Sequence, residues 1–443
     1  MYNKQPSRSK SFGKRSSGAR ASFSAGSRRP SGGQRRNFGK RSGSKSGRSQ
    51  FNDLSKFVNK AVPMTETKPY EPVNSFSDFL IDERLKKTVL GSGYVHPTPI
   101  QDQSIPEVLK GRDIVGIANT GTGKTAAFVI PLLNKVVLDK KQNIIILAPT
   151  RELAIQIDQE LKKFAAGMRI FSVCAVGGMP IYRQISDLNR NHNFVIGTPG
   201  RIKDLIDRGK LRIERFETIV LDEADRMLDM GFINDMRFLM ASMPTNRQTL
   251  FFSATLSDDI KRIINDFLNN PINIFVKTRD TSSNIDQDVV HSTKENKFTL
   301  LHELLIQPEF NKVLIFGQTK RGVEKLSQLL AKQGVLVKSI HGDKNHGQRQ
   351  QALKSFKEDS VNVLVATDVA ARGIDIPNVS HVINYELPST YEDYIHRIGR
   401  TGRAGNIGKA LTFVSNETTS VSTGSSSNNR RRTQRRPVKS FRR

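Results

Sequence analysis

The feature that most constrains this chain is the octapeptide Ala118-Asn119-Thr120-Gly121-Thr122-Gly123-Lys124-Thr125. It follows the apolar run Ile114-Val115-Gly116-Ile117 and leads into Ala126-Ala127-Phe128-Val129-Ile130. A buried strand, a loop of small residues and a helix, in that order, make a phosphate cradle: backbone N–H groups and the helix N-terminus point at anionic oxygens. Lys124 is then placed to pair with the β- and γ-phosphates of a nucleotide, and Thr125 to offer its hydroxyl to Mg²⁺. Ala118 stands where the strict pattern has Gly. A strand-to-helix turn that binds nothing is the competing reading, and the sequence a hundred residues downstream argues against it.

A chain of 443 residues exceeds one ordinary core and predicts about two domains with tails. The hydrophobic fraction of 36% is low for a wholly folded protein, and the net charge of +28 shows where the unfolded part lies. Residues 1–52 hold 14 Lys and Arg with no acid, and residues 417–443 hold eight with one acid, so the two ends carry three quarters of the net charge. Both are expected to be disordered basic tails, since Ser, Gly and Arg bury too little apolar surface to offset ordering entropy. Tyr2, Phe12, Phe23, Phe38 and Phe51 are scattered through the first tail. Cations with interleaved rings suit single-stranded nucleic acid, where charge meets phosphate and rings stack on bases. A solvated spacer and an organelle transit peptide are the alternatives for that tail.

The single cysteine, Cys174, excludes intramolecular disulfides and cysteine-based metal sites and fits a reducing compartment. No run reaches 18 apolar residues, and Met1–Lys10 has no apolar core for a signal peptide. No membrane partner is expected.

After a linker over 53–75, ordered sequence is expected from Phe76. Phe76 and the stretch Gly93-Tyr94-Val95-His96-Pro97-Thr98-Pro99-Ile100-Gln101 precede the cradle. The Gln101 amide can donate and accept at once, matching the paired groups on an adenine edge, and an aromatic can stack on the same base. Helix-start packing is the plainer reading of these residues. Short β-branched runs then alternate with helical segments: 144–147, 170–176, 194–196, 218–221 and 249–252. This pattern predicts parallel βαβ units, with ligands at the carboxyl ends of the strands. From about residue 284 it begins again, at 313–316, 336–340, 361–366 and 379–384, without a second phosphate loop.

Ile219-Val220-Leu221 delivers Asp222 and Glu223 at a strand end. With a phosphate loop upstream, Asp222 can hold Mg²⁺ and Glu223 can orient or deprotonate an attacking water. Here the sequence resembles the DEAD-box RNA helicases, whose name-giving tetrapeptide stands as Asp222-Glu223-Ala224-Asp225. Gln101 and its flanks look like the family's Q motif, 118–125 motif I, 149–154 motif Ia, and Gly177-Gly178 with 198–201 the Ib elements. Ser253–Thr255 is similar to motif III, 315–319 to motif IV, 366–375 to motif V and 396–403 to motif VI.

The resemblance implies an α/β fold of two tandem RecA-like domains, each a parallel sheet flanked by helices, spanning 76–278 and 279–416. It implies an RNA-stimulated ATPase, with ATP and Mg²⁺ as cofactors and single-stranded and short duplex RNA as partners. By position, Arg400 and Arg403 would be arginine fingers reaching the γ-phosphate, Gly373 and Asp375 would lie at the nucleotide, with Asp375 on the ribose, and Arg372, His396, Ser253 and Thr255 would couple the domains. The run 397–403 also reads as a plain phosphate patch. RNA contacts carried over are Arg151, Gly178, Thr198 and Arg201 in the first domain, and Thr319, Arg349 and Thr367 in the second. Asn119 and His346 stand where the family more often has Gln. A monomer in the bacterial cytoplasm is the expected setting, with a eukaryotic nucleus as the alternative. A non-catalytic RNA clamp and a DNA helicase of the same superfamily are the competing functions.

Overall fold

The computed structural model describes residues 57–60, 70–276 apart from Thr120, 284–371, 376, 378–402 and 407–415. Both basic tails lie outside the described residues, as do Arg372, Gly373, Asp375 and Arg403. All described residues belong to one unit, Ser49–Arg443.

Seven strands form the first sheet: β1 (Ile114–Ile117), β2 (Ile144–Leu147), β3 (Ser172–Ala175), β4 (Phe194–Gly197), β5 (Thr218–Leu221), β6 (Gln248–Ser253) and β7 (Ile272–Phe275). They run parallel in the order β3-β4-β2-β5-β6-β1-β7. Parallel strands covered on both faces read as continuous apolar runs, which is why the sequence marks five of the seven so clearly and β3 a little too long. Successive side chains feed opposite layers. Ile144, Ile146, Val220 and Phe252 enter one core, while Ile145, Leu147, Ile219 and Phe251 enter the other.

The second sheet holds β8 (Ile285–Ser292), β9 (Val313–Gly317), β10 (Val337–Ile340), β11 (Val363–Thr367), β12 (His381–Asn384) and β13 (Gly408–Ser415). These too are all parallel, in the order β10-β11-β9-β12-β13-β8. Matching β1 to β8, β2 to β9, and so on to β6 and β13 makes the two orders identical, with β7 the only addition among the described residues. Leu314, Phe316 and Val382 line one of its cores, and Val313, Ile315 and Ile383 the other.

Strands β7, β8 and β13 are not legible in the sequence. β8 reads Ile-Asp-Gln-Asp-Val-Val-His-Ser, too polar for a central strand, and it lies at the sheet margin, where one side needs no apolar cover. Within the segment expected as a linker, Tyr70, Val73 and Asn74 are held by the Asp102 carboxylate, and Phe57 is wholly buried.

The helix Pro99–Leu109 lies against β1, and Gly116 makes that approach feasible: a Cβ there would meet the Phe252 ring at 2.7 Å and Ile100 at 3.3 Å. Parallel registers place the loops after β1, β2, β4, β5 and β6 on one edge, where the chemistry collects. No helix among the described residues is long and apolar enough to cross a membrane.

Candidate active site

The loop after β1 ends in Gly123, at φ +88° and ψ +23°, and opens the 15-residue helix Lys124–Leu138. Its N-cap, Gly123, has no side chain to cap that helix, an arrangement that suits an anion at the first N–H groups. Lys124 is buried, and its ammonium donates to the Ala118 carbonyl at 2.6 Å, folded back on its own loop. Thr122 Oγ1 donates to the Asn119 carbonyl at 2.8 Å, closing the turn. Thr120 is outside the described residues; Gly121 takes a positive φ, and Thr125 is half-buried in the first helical turn.

Gln101 lies against the phosphate loop. Its Oε1 accepts from the Thr98 N–H at 2.9 Å and its Nε2 donates to the Gly123 carbonyl at 3.0 Å, with the residue 2% exposed. Thr98 Oγ1 adds a bond to the Thr122 carbonyl at 2.8 Å. The amide thus links the helix N-terminus to the phosphate loop. A Cβ on Gly123 would collide with it. Phe76 is 0% exposed and packs edge-on against Phe79 and Tyr94.

Asp222 and Glu223 leave the end of β5. Burial pushes the Asp222 carboxyl up to about 7, against the pull of Lys124, and the neighbouring acids Glu223 and Asp225 add to the rise. Glu223 sits at φ 52°, ψ 50°, a left-handed conformation that costs a non-glycine residue about 1–2 kcal/mol. Its Oε2 has no hydrogen-bond partner among the described residues and ion-pairs at 3.5 Å with Arg226. Arg226 is fully buried, and among the described residues none of its guanidinium nitrogens is hydrogen-bonded.

Asp225, not singled out from the sequence, is the hub. Its Oδ2 accepts from the Ala254 N–H and Thr255 N–H at 3.0 Å each and from Thr255 Oγ1 at 3.3 Å, while its own N–H donates to Ser253 Oγ. The loops after β5 and β6 are thereby one unit. A cavity of about 420 Å³ is lined by Asp225, Thr255, Asp259, Glu392 and His396 among others. His396 belongs to the helix Tyr391–Ile398, which leads directly to Arg400. Arg400 is nearly buried, its Nε donating to the His396 carbonyl at 3.3 Å.

Arg397 separates itself from the basic run in which the sequence placed it. It is 1% exposed and grips Asp368 with two bonds of 2.6 and 2.7 Å, and it also donates to Asn384 and to the Glu386 carbonyl. A phosphate patch is therefore excluded at that residue. Charge alone could not separate Arg397 from Arg400; only the apolar periodicity of Tyr394, Arg397 and Ile398 hints that it faces inward.

Among the residues carried over for RNA, Arg151 lies over Gly177 and Gly178, and Gly178 has φ +76°, so arginine and glycine doublet are brought together. Thr198 follows β4, Thr367 is the last residue of the equivalent β11, and Thr319 caps the helix Lys320–Lys332 after β9. Arg201 is turned inward, with Nη1 donating to Gln184 at 3.0 Å, and burial lowers its pKa. Arg349, 7% exposed, ion-pairs at 2.9 Å with Glu152 on the helix that begins at Arg151.

A parallel sheet with a phosphate loop and paired acids on its carboxyl edge, joined to a second sheet of the same order carrying arginines, defines a two-domain RecA-like nucleotide-binding protein. The DEAD/DEAH box helicase family model matches residues 98–263, and that of the helicase conserved C-terminal domain matches 296–405. The ATP-dependent RNA helicase CshA of Listeria monocytogenes is 46% identical over 346 residues, covering 77% of this chain and 66% of that protein. CshA of Geobacillus kaustophilus is 45% identical over 344 residues, covering 77% and 74%. The structure of Saccharomyces cerevisiae Dbp5 bound to RNA and ADP-BeF3 superposes with TM-score 0.69 at 31% identity, covering 78% of this chain and 90% of that one. Mss116p bound to single-stranded RNA and AMP-PNP gives TM-score 0.71 at 30% identity, covering 81% and 78%. The chain belongs to the DEAD-box helicase family. It spans just under two thirds of the length of the Listeria relative.

Proposed function

We propose that this chain is an ATP-dependent RNA helicase. It hydrolyses ATP to ADP and phosphate as two RecA-like domains, over 76–278 and 279–416, close on single-stranded RNA, unwinding short duplexes or remodelling RNA–protein complexes. The carrying observation is the Asp225 hub, which locks the Asp222-Glu223 loop to Ser253–Thr255 on the wall of a cavity that His396 also lines.

The residues fit the nucleotide and its ion. An uncapped helix N-terminus beside Gly121, Thr122 and Gly123 suits phosphate, and Lys124 exchanges its bond to the Ala118 carbonyl for phosphate oxygens. The buried Asp222 carboxylate, costly to ionise alone, suits a divalent cation held together with Thr125. Mg²⁺ there supplies charge that neutralises the phosphate oxygens. Glu223 Oε2, without a hydrogen-bonding partner among the described residues, takes the proton of the water that attacks the γ-phosphorus. The bond to the β-phosphate oxygen breaks in line, and Arg400 with Arg403 spreads the developing charge, as the planar fork of arginine allows. Asp375 on the ribose, Gly373 beside it, and Arg372 in coupling complete the reading. The RNA backbone runs over Arg151, Gly178, Thr198, Thr319 and Thr367, where small residues and charge permit close approach. A monomer in the bacterial cytoplasm is the setting we favour.

Glu223→Gln keeps shape and loses the base. ATP turnover should fall at least 100-fold, on the scale of general-base catalysis, while ATP and RNA binding persist. Turnover near wild type would remove Glu223 from catalysis and the proposal with it.

A further inference from the structure

The outer edge of β1 is covered by β7 along its whole length, from Ile114 opposite Ile272 to Ile117 opposite Phe275. Among the described residues, the equivalent edge of β8 has no such strand in its sheet. At that edge lies Asn59: its N–H donates to the Gln287 carbonyl at 3.1 Å, and the Gln287 N–H donates to the Asn59 carbonyl at 2.7 Å, an antiparallel bridge. Two residues earlier, Phe57 is fully buried among Ile285, Tyr394, Ile398 and Ala410. Its ring stands edge-on to Tyr394 with centroids 4.8 Å apart, and the Tyr394 hydroxyl in turn donates to Gln287 Oε1 at 2.9 Å.

We propose that the β8 edge, together with the inner face of the helix Tyr391–Ile398, is a docking site for the chain's own N-terminal arm, and that the docked arm is a second tether between the domains. The first domain holds the other end of the arm. Asp102 accepts from the Tyr70 hydroxyl at 2.6 Å, the Val73 N–H at 2.8 Å and the Asn74 side-chain amide at 2.7 Å. Between Lys60 and Tyr70 there are ten Cα steps, so the two anchor points can separate by at most about 36 Å while both are engaged. The chain between Val276 and Asn284 makes the other connection. Docking also bears on the catalytic edge, because Tyr394 and Ile398, which hold Phe57, lie on the helix that carries His396 and ends two residues before Arg400. An edge strand with unpaired N–H and C=O groups recruits an extended segment readily, and an aromatic beside the bridge fixes its register.

Docking does not depend on the helicase reading, and its test reads no activity. In the full chain with Cys174→Ser, dyes on cysteines placed at the exposed positions Leu138 and Leu336 report the distance between domains. Hydrogen exchange at the Gln287 amide reports docking. Phe57→Asp should speed exchange at Gln287 at least tenfold and move the nucleotide-free distance distribution outward, whereas removing residues 1–52 should do neither. Unchanged Gln287 exchange in Phe57→Asp would overturn the docking site. Faster exchange without a distance shift would overturn the tether. If Phe57→Asp also exposes the amides of β11, the second sheet has unfolded; Asn59→Pro, which deletes only the arm's donor, is then read by the same criteria.

Discussion

The two sheets share one strand order but not one chemistry. After β1 comes a loop of small residues and a 15-residue helix with an uncapped N-terminus. After the equivalent β8, the next helix, Lys297–Leu305, has nine residues and follows Asn296. After β5 come Asp222 and Glu223; after β12 come Tyr385 and Glu386, and Glu386 is spent within its own domain, accepting from the Gln318 N–H. Duplicating a fold duplicates the positions where chemistry can be mounted, and the residues that leave the strand ends decide which copy carries it. The first copy carries the glycine-rich loop and the paired acids, and the second carries Arg397 and Arg400. The buried polar residues of the second copy hold that mount in place.

The largest test of this division is Asp368→Ala. Arg397 would keep its buried charge without its bidentate partner, and breaking a buried pair from one side costs about 3–5 kcal/mol. The loss should appear as faster hydrogen exchange in β9, β11 and β12, while β2, β4 and β5 keep their protection. Equal losses in both sheets would show that the two copies unfold as one unit, and the contrast drawn here would fail.

A somewhat smaller effect separates the sheets by pH. His381 opens β12, opposite Val313 of β9; its counterpart Thr218 opens β5, opposite Ile144 of β2. Burial lowers the His381 pKa to about 4, with help from Lys409 and against Glu309, and its ring stacks on Phe310 at 3.9 Å. The unfolded chain takes up the proton near pH 6.5 and the folded one only near 4. This contribution to stability is therefore full above pH 6.5 and declines as pH falls toward 4, by about 3 kcal/mol over the window. His381→Thr, which copies the first sheet, should flatten the urea-unfolding stability of the second sheet between those pH values. An undiminished pH slope in that variant would mean that another group titrates.

Most of the scaffold could be read in advance because parallel strands are apolar on both faces: Ile144–Leu147 and Thr218–Leu221 have no other plausible use. The polar edge was legible for the same reason, since polar residues at the ends of such strands stand out. What stayed hidden depends on contacts distant in sequence. Asp225 looks like its neighbour Asp222 until Ser253–Thr255 closes on it from 28 to 30 residues away. The bond from Gln101 to the Gly123 carbonyl, 22 residues downstream, has no signal in the sequence. Nor has the ion pair between Arg349 and Glu152. Phe57 sits in a stretch too short and too polar to register as an element, yet its burial depends on a pocket more than 200 residues away in sequence.

The smallest effect is the sharpest test of equivalence between the copies. Thr150 follows β2 and caps the helix Arg151–Phe164, its hydroxyl oxygen accepting from the Leu153 N–H at 3.3 Å. Thr319 follows β9 and caps Lys320–Lys332, accepting from the Gly322 N–H at 3.0 Å. Loss of an N-cap hydroxyl costs about 1 kcal/mol, so Thr150→Ala and Thr319→Ala should each destabilise their own sheet by about that amount. Thr150 is buried, whereas Thr319 is exposed. If Thr319 also meets RNA, only Thr319→Ala should weaken single-strand binding, by a fewfold, with the stability losses still matched. Matched stability losses with unchanged RNA affinity in both variants would leave Thr319 a cap alone and move the RNA track of the second domain toward Thr367.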